Sequence, residues 1–334
     1  MKRRRLLLAG VAGSATLAAP AVNAQARQTL TMGSVWADAA AGDGYLARLS
    51  ARTASLTSGR LILEVVPQEG TALSLYRAVA GGEISGCFGA EELWAALNPV
   101  YSLFTSVPGG MTGDEFEAWI HWGEGRALWQ ELAAGAGIQP FLAGDEGAAC
   151  LWADSLPSDP SGVTIATSGL AAATWTALGA RVVDPDGSDP AQVLELSAAH
   201  PRCGQAVAAG ARPTPSFTRP MGARSLSFGI PALERLDTAN RIALETAIDA
   251  EYTADRTRKV MAGLAFAGTP GLAPAPALTD ALAGAARTVL ADLAGGSEFA
   301  DRALQAYAGQ IGAVTRWSEM SEAAYTAARK EALS

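Results

Sequence analysis

From residue 30 onward the chain alternates short apolar runs with amphipathic stretches. Leu30-Thr31-Met32-Gly33-Ser34-Val35 has strand character and leads to Trp36. Over residues 44–57, Tyr45, Leu46, Leu49 and Leu56 fall at spacings that suit one helical face. Leu61-Ile62-Leu63-Glu64-Val65-Val66, bounded by Gly59 and Pro67, predicts a second strand. Residues 73–79 predict a short helix stopped by Gly81-Gly82, and residues 84–88 a third strand. This βαβαβ order implies a parallel sheet with helices on its faces.

An aromatic stretch follows: Trp94, Tyr101, Phe104, Phe116, Trp119, Trp122 and Trp129. Helical spacing assigns most of it to the core, although small-ligand sites also use apolar walls. Thr112-Gly113-Asp114-Glu115 has the capping-box pattern, with Thr112 as cap and Glu115 at the third position. Strand-like runs recur at residues 141–143, 149–152, 163–167, 181–183 and 225–229, and a helix opens at Gly169 and ends near Gly179. Residues 155–160 read as a loop or crossover. Residues 201–220, rich in Gly, Pro and Ala, carry no clear periodic signal. Residues 236–266 predict a long helix, and residues 278–332 further helix broken at Gly295-Gly296. There is no internal repeat.

The N-terminus changes where this molecule is expected to work. Met1-Lys2-Arg3-Arg4-Arg5 precedes the apolar Leu6-Leu7-Leu8-Ala9-Gly10-Val11 and then small residues, the order of an export signal. Cleavage is expected after Ala24 or Ala26. The apolar run is too short to span a bilayer, which needs roughly 20 residues. The adjacent arginines are compatible with the twin-arginine route as well as with ordinary secretion. Loss of the segment takes the net charge from −8 to −12. An acidic surface without a basic cluster argues against nucleic acid and anionic membranes. A mature chain of about 310 residues exceeds what one core usually supports, so two lobes are expected.

Little in the sequence points to catalysis. Cys87, Cys150 and Cys203 allow one disulfide at most in an oxidising compartment, and the apolar neighbours of Cys87 and Cys150 read as ordinary buried positions. The only histidines are His121 and His200, and His200-Pro201-Arg202-Cys203 is a weak metal signal without a second pair. No nucleophile elbow, zinc-binding helix or phosphate loop occurs. Asp145-Glu146 is an acidic pair, but neighbours on a strand point to opposite faces. No cofactor is expected, and an exported enzyme is the remote alternative.

Tyr101-Ser102-Leu103-Phe104-Thr105-Ser106-Val107-Pro108-Gly109-Gly110-Met111-Thr112 resembles the aromatic-Thr-x-Val-Pro-x-Gly-hydrophobic-Thr segment of the periplasmic receptors of TRAP transporters, nearest the subgroup for 2-oxo acids. Residues 119–129, 141–147 and 169–179 match further strings in order, and Ser155-Leu156 with Gly162 sit at that family's crossover. The resemblance implies an α/β fold of two lobes, each a mostly parallel sheet flanked by helices, closing on a small organic acid for delivery to membrane permease subunits. It implies a periplasmic location, a long helix over residues 236–266 bracing both lobes, and no chemistry; a monomer or homodimer is expected. The expected organisation is a signal peptide over 1–26, lobe I over 27–148 completed by 225–250, lobe II over 149–224 completed by C-terminal helices, and a helical region over 251–334.

The sequence departs from that family at the expected contacts. Ala166 stands where the family's carboxylate-forking arginine should be, and no Arg or Lys lies in residues 153–180. Ala149 replaces a glutamine of the subgroup. The Ala-x-Glu-Trp string expected soon after Arg181-Val182-Val183, which serves ligand and cation in the 2-oxo-acid receptors, is missing; Cys203-Gly204-Gln205-Ala206 is its nearest counterpart. The ligand is therefore not expected to be a standard 2-oxo or dicarboxylic acid, and a degenerate receptor used for sensing or interaction is the alternative. Arg219, in Phe217-Thr218-Arg219-Pro220, is the candidate substitute anchor, with Arg202 and Arg181 behind it. Trp36, Glu91, Glu92, Trp94, Phe104, Thr167 and Phe217 complete the expected ligand contacts. The competing readings are core packing for the tryptophans and a solvated surface position for each arginine.

Overall fold

A computed structural model describes residues 27–36, 44–67, 70–273 and 275–333. The export-signal reading falls on residues 1–26, outside them. Two five-stranded sheets build the two lobes, as the resemblance implied. The first has the order β2-β1-β3-β10-β4, formed by β1 (Gln28–Ser34), β2 (Leu61–Val65), β3 (Gly86–Gly89), β4 (Ile138–Asp145) and β10 (Ala223–Gly229). The second has the order β7-β6-β8-β5-β9, from β5 (Ala149–Ala153), β6 (Thr164–Ala166), β7 (Arg181–Val183), β8 (Val193–Ser197) and β9 (Arg212–Pro215). Each sheet carries one reversed strand, β10 in the first and β5 in the second.

Local sequence explains most elements of the first lobe. In β1 the core-facing Leu30 and Met32 alternate with outward residues, and the strand pairs in parallel with β2 and β3. Helix α1 (Tyr45–Leu56) buries Tyr45, Leu46, Leu49 and Thr53 against it. Helix α2 (Ala72–Ala80) starts at Thr71, whose hydroxyl accepts from the Ser74 N–H. Helix α3 (Gly113–Trp122) carries the expected box, with the Thr112 N–H donating to Glu115 Oε2 at 2.8 Å. It packs with α4 (Gly125–Ala134) over an aromatic core in which Phe104 stacks on Trp119 and Trp129.

The second lobe adds α5 (Gly169–Ala177) after β6 and α6 (Pro201–Ala208) before β9. No helix separates β7 from β8, so the chain returns directly into the sheet. Strand β8 and helix α6 went unanticipated in the sequence.

Two chain crossings join the lobes, residues 146–148 and 216–222. After the short α7 (Ile230–Glu234), helix α8 (Thr238–Leu264) lies along α1 and β4, opened by Asp237 accepting from the Asn240 N–H at 2.8 Å. Just beyond it Phe266 packs edge-on against Trp152 of the second lobe, ring centres 5.0 Å apart. Helix α9 (Pro276–Gly295) also serves both lobes: Leu278 and Leu282 join the second lobe's core, while Leu293 joins the first's. Helix α10 (Glu298–Met320) closes over α3 and α4, where the Tyr307 hydroxyl accepts from the Met111 N–H at 2.9 Å. Helix α11 (Glu322–Leu333) buries none of its residues. Among the described residues no helix is long and apolar enough to cross a membrane.

Candidate functional site

The carboxyl ends of β3 and β6 point into the space between the lobes, the usual place for a ligand in open α/β sheets. β3 leads into a 3₁₀ turn, Glu91–Trp94, and β6 leads through Thr167 and Ser168 into α5. Arg219 comes from the crossing between β9 and β10. These pieces meet. The Arg219 guanidinium lies 3.2 Å from both carboxylate oxygens of Glu92 through Nη1 and 3.3 Å from Oε1 through Nη2. Nη1 also donates to the Ser168 carbonyl at 3.2 Å and to its hydroxyl at 2.8 Å, while that hydroxyl donates to Glu92 Oε1 at 2.6 Å.

The group is enclosed, with the side chains of Arg219 and Glu92 only 10% and 6% exposed. Burial opposes the Arg219 charge, but Glu92, Glu146 and Glu195 outweigh it and hold its pKa above the usual value. The reading of Arg219 as a solvated surface residue is thereby corrected. The lobes touch here as well: Leu170, at the start of α5, packs into the first lobe's aromatic core.

Glu195 on β8 supports this arrangement from below. Its Oε2 accepts from Thr167 Oγ1 at 2.7 Å, and its Oε1 accepts from the hydroxyls of Ser216 and Thr218. The Ser216 oxygen in turn accepts from the backbone N–H groups of Thr218 at 3.1 Å and Arg219 at 3.3 Å. The buried carboxylate thus fixes the bend that aims Arg219. Sequence reading missed Glu195, because a charge at a buried strand position breaks the apolar alternation that marks a strand. Glu195 lies on β8, the strand after β7, whereas Cys203-Gly204-Gln205-Ala206 lies on α6.

The other expected residues divide by packing. Glu91 is buried beneath the turn, facing away from Glu92. Its Oε1 accepts from Ser227 Oγ at 3.4 Å, and its Oε2 has no partner. Desolvation pushes its pKa up to about 7, against weaker lowering by Ser225, Trp129, Trp94 and Ser227. Neither indole N–H closes a full hydrogen bond with it. Trp94 is a core residue tilted against Tyr76, ring centres 4.8 Å apart, and Phe104 lies fully within the core stack. Trp36, half-buried at the mouth of the cleft, packs edge-on against Phe88 and carries the Arg224 guanidinium 5.1 Å above its ring. Phe217 fills the space beside Gly109, and its carbonyl accepts from the Gly109 N–H at 2.9 Å. Gly109 holds φ +64°, and a side chain there would run into the Phe217 ring.

Arg202 donates to the carbonyls of Pro185 and Asp189, and Arg181 is exposed on β7. Asp145 accepts from the N–H groups of Gly147 and Gly222, tying the two crossings together, and Glu146 pairs with Arg224. All three cysteines are free thiols, Cys87 and Cys203 buried and Cys150 partly so. His121 lies 2.6 Å from Arg126, and His200 pairs with Asp186. A groove of about 570 Å³ runs outside the first lobe between α3 and α8, lined by Glu117, His121, Trp122 and Tyr252, with none of the cleft residues.

No family model matches the sequence, and no curated protein matches it. Solved structures do. A TRAP periplasmic solute-binding protein from Pseudoalteromonas atlantica, with bound sodium and pyruvate, superposes with a TM-score of 0.81 at 17% identity, covering 90% of this chain and 98% of its own. The fold is that of the TRAP solute-binding proteins. The counterpart from Colwellia psychrerythraea, with calcium and pyruvate, gives 0.80 at 18% identity over 90% and 99% of the two chains. One from Bordetella bronchiseptica, with copurified calcium and picolinate, gives 0.80 at 16% over 92% and 98%. All three are solute-binding proteins.

The residues of this chain's cleft do not fit the calcium that two of those structures hold. Calcium takes six to eight oxygen ligands, whereas Glu195 is ringed by hydroxyls that donate to it and Ala149 offers no side-chain oxygen. Among the described residues no three His, Cys, Asp or Glu side chains gather to hold a metal ion.

Proposed function

We propose that the chain is the periplasmic solute-binding receptor of a TRAP-type transport system. It captures a small organic metabolite between its lobes and presents it to membrane permease subunits, as a monomer or homodimer. The metabolite is not a standard 2-oxo or dicarboxylic acid. The observation that carries this reading is the exchange at the cleft: a buried Ala166 stands at the expected arginine position, and the guanidinium enclosed between the lobes, Arg219, is held by Glu92. Two acidic side chains beside it, Glu92 and Glu195, disfavour a doubly charged acid. The pyruvate and picolinate of the similar structures support the general site and not the identity of this ligand. A thermal-shift screen of a broad metabolite library, followed by calorimetry, is expected to give one chemical class binding 1:1 with a raised melting temperature. No binder in any class overturns the reading.

A second reading is a receptor-derived protein that senses or docks without carrying a solute. The enclosed Glu92–Arg219 pair favours it, because it fills the space a solute would take. Genes for the two membrane subunits beside this one support transport, and their absence supports the second reading.

A further inference from the structure

We propose that Arg219 and Ser168 form a carboxylate-binding seat that the protein fills with its own Glu92, so that the lobes are held shut by an internal stand-in for a solute. The inference rests on the two-lobed receptor reading and adds what occupies the cleft between captures.

Three observations carry it. The first is provenance: Glu92 belongs to the turn after β3 in the first lobe, Ser168 to the second lobe, and Arg219 to the crossing between them. Lobe separation must break this pair, as it would break contacts to a solute gripped from both sides. The second is the donor set. Glu92 receives three contacts from the two Nη atoms and one from a serine hydroxyl, with both oxygens engaged. That is how a free carboxylate is bound by charge-assisted donors. The Glu92 N–H donates to Thr105 Oγ1 at 2.9 Å, which steadies the turn that delivers it.

The third is the shape of the seat. A Cβ on Gly169 would lie 2.1 Å from Glu92 Oε2, and Gly169 holds φ +61°. The backbone has made room for a carboxylate oxygen where any side chain would exclude it. The Glu195 oxygens are already taken by three hydroxyl donors. A short monocarboxylate is the ligand class that fits once Glu92 is withdrawn; a second acid group would meet Glu195.

The test uses the full-length mature protein and acetate as probe. Glu92→Ala vacates the seat and leaves Arg219 in place. Calorimetry is expected to show acetate binding to this variant at least about tenfold more tightly than to the wild type, whose seat is free in only a small fraction of molecules. The Glu92→Ala/Arg219→Ala double variant should lose that gain. Small-angle scattering should show the ligand-free Glu92→Ala protein expanded relative to the wild type and compacted again by acetate. A folded Glu92→Ala protein that ignores acetate, or a double variant that binds equally well, overturns the proposal. If Glu92→Ala does not fold alone, Glu92→Ser and refolding in acetate replace it: rescue by acetate upholds the seat, and no rescue overturns it. The outcomes separate from those of the wild-type screen. Metabolite binding by the wild type with no acetate binding by Glu92→Ala keeps the receptor and removes the latch. Acetate binding by the variant with no wild-type ligand does the reverse.

Discussion

Burial pushes the pKa of the Glu91 carboxyl up to about 7, from an unperturbed value of 4.5. The folded protein therefore holds that proton more tightly than the unfolded chain does. Across the window from 4.5 to about 7 the native state binds more protons, so stability falls as pH rises and the full cost is present above the upper value. Glu91→Gln removes this term. At pH 8 the variant should be more stable than the wild type by up to about 3 kcal/mol, with the difference vanishing toward pH 4.5, read from denaturant unfolding at each pH. Paired measurements are needed because other carboxylates are shifted too, Asp145 upward by burial and Glu146 downward by Arg224. Glu92, one residue on, faces the other way, and its carboxylate is met by Arg219. Nothing in Glu91-Glu92 as a string separates the two. The difference comes from which side of a 3₁₀ turn each occupies, and that depends on residues more than a hundred positions away.

Among the elements, α8 is tied to α1 by charge as well as by packing. Glu251, fully buried, meets Arg48 at 2.9 Å and Arg52 at 2.7 Å, and Asp255 lies 3.7 Å from Arg48. Removing the shared carboxylate leaves Arg48 poorly compensated, so Glu251→Ala is expected to cost about 2–4 kcal/mol in denaturant unfolding. Helix α11 is the contrast: with no buried residue, a chain ending before residue 322 should unfold within about 0.5 kcal/mol of the full protein. The first lobe was legible because its signals are local. Alternation marked β1 and β2, glycines stopped α2, and Thr112 with Glu115 opened α3. The second lobe was less so. β8 carries a buried charge at its centre, and β9 reads Arg-Pro-Thr-Pro, a poor strand by composition that Leu151 and its neighbours in β5 nonetheless pair. The candidate site was legible in part. Arg219, Glu92 and Thr167 converge, while Trp94 and Phe104 are core, because an apolar ring near a cleft looks the same in sequence whether it faces ligand or protein.

For the molecule as a whole, the lobes are joined by two crossings, by α9 and Phe266, and by the Arg219–Glu92 pair. Arg219→Met strands the Glu92 carboxylate in a closed cleft. It is expected to destabilise the protein by about 3 kcal/mol or more unless the lobes part and hydrate it, and scattering distinguishes the two outcomes. The acidic net charge of −8 acts at this scale too, favouring solubility without choosing a ligand.

The distribution of the eight tryptophans gives the molecule its own optical reporter. Trp94, Trp119, Trp129, Trp152 and Trp175 are fully buried, whereas Trp122 and Trp317 are 91% and 66% exposed. Native emission should therefore contain a blue component out of reach of dissolved iodide and a red component that iodide quenches. Trp36 belongs to neither class. It lies under Arg224 and contributes, after His200, to lowering the pKa of Asp186 in the opposite lobe. Parting the lobes removes that neighbour and wets the indole, so a red shift lost in Trp36→Phe would time the opening of the cleft with light alone.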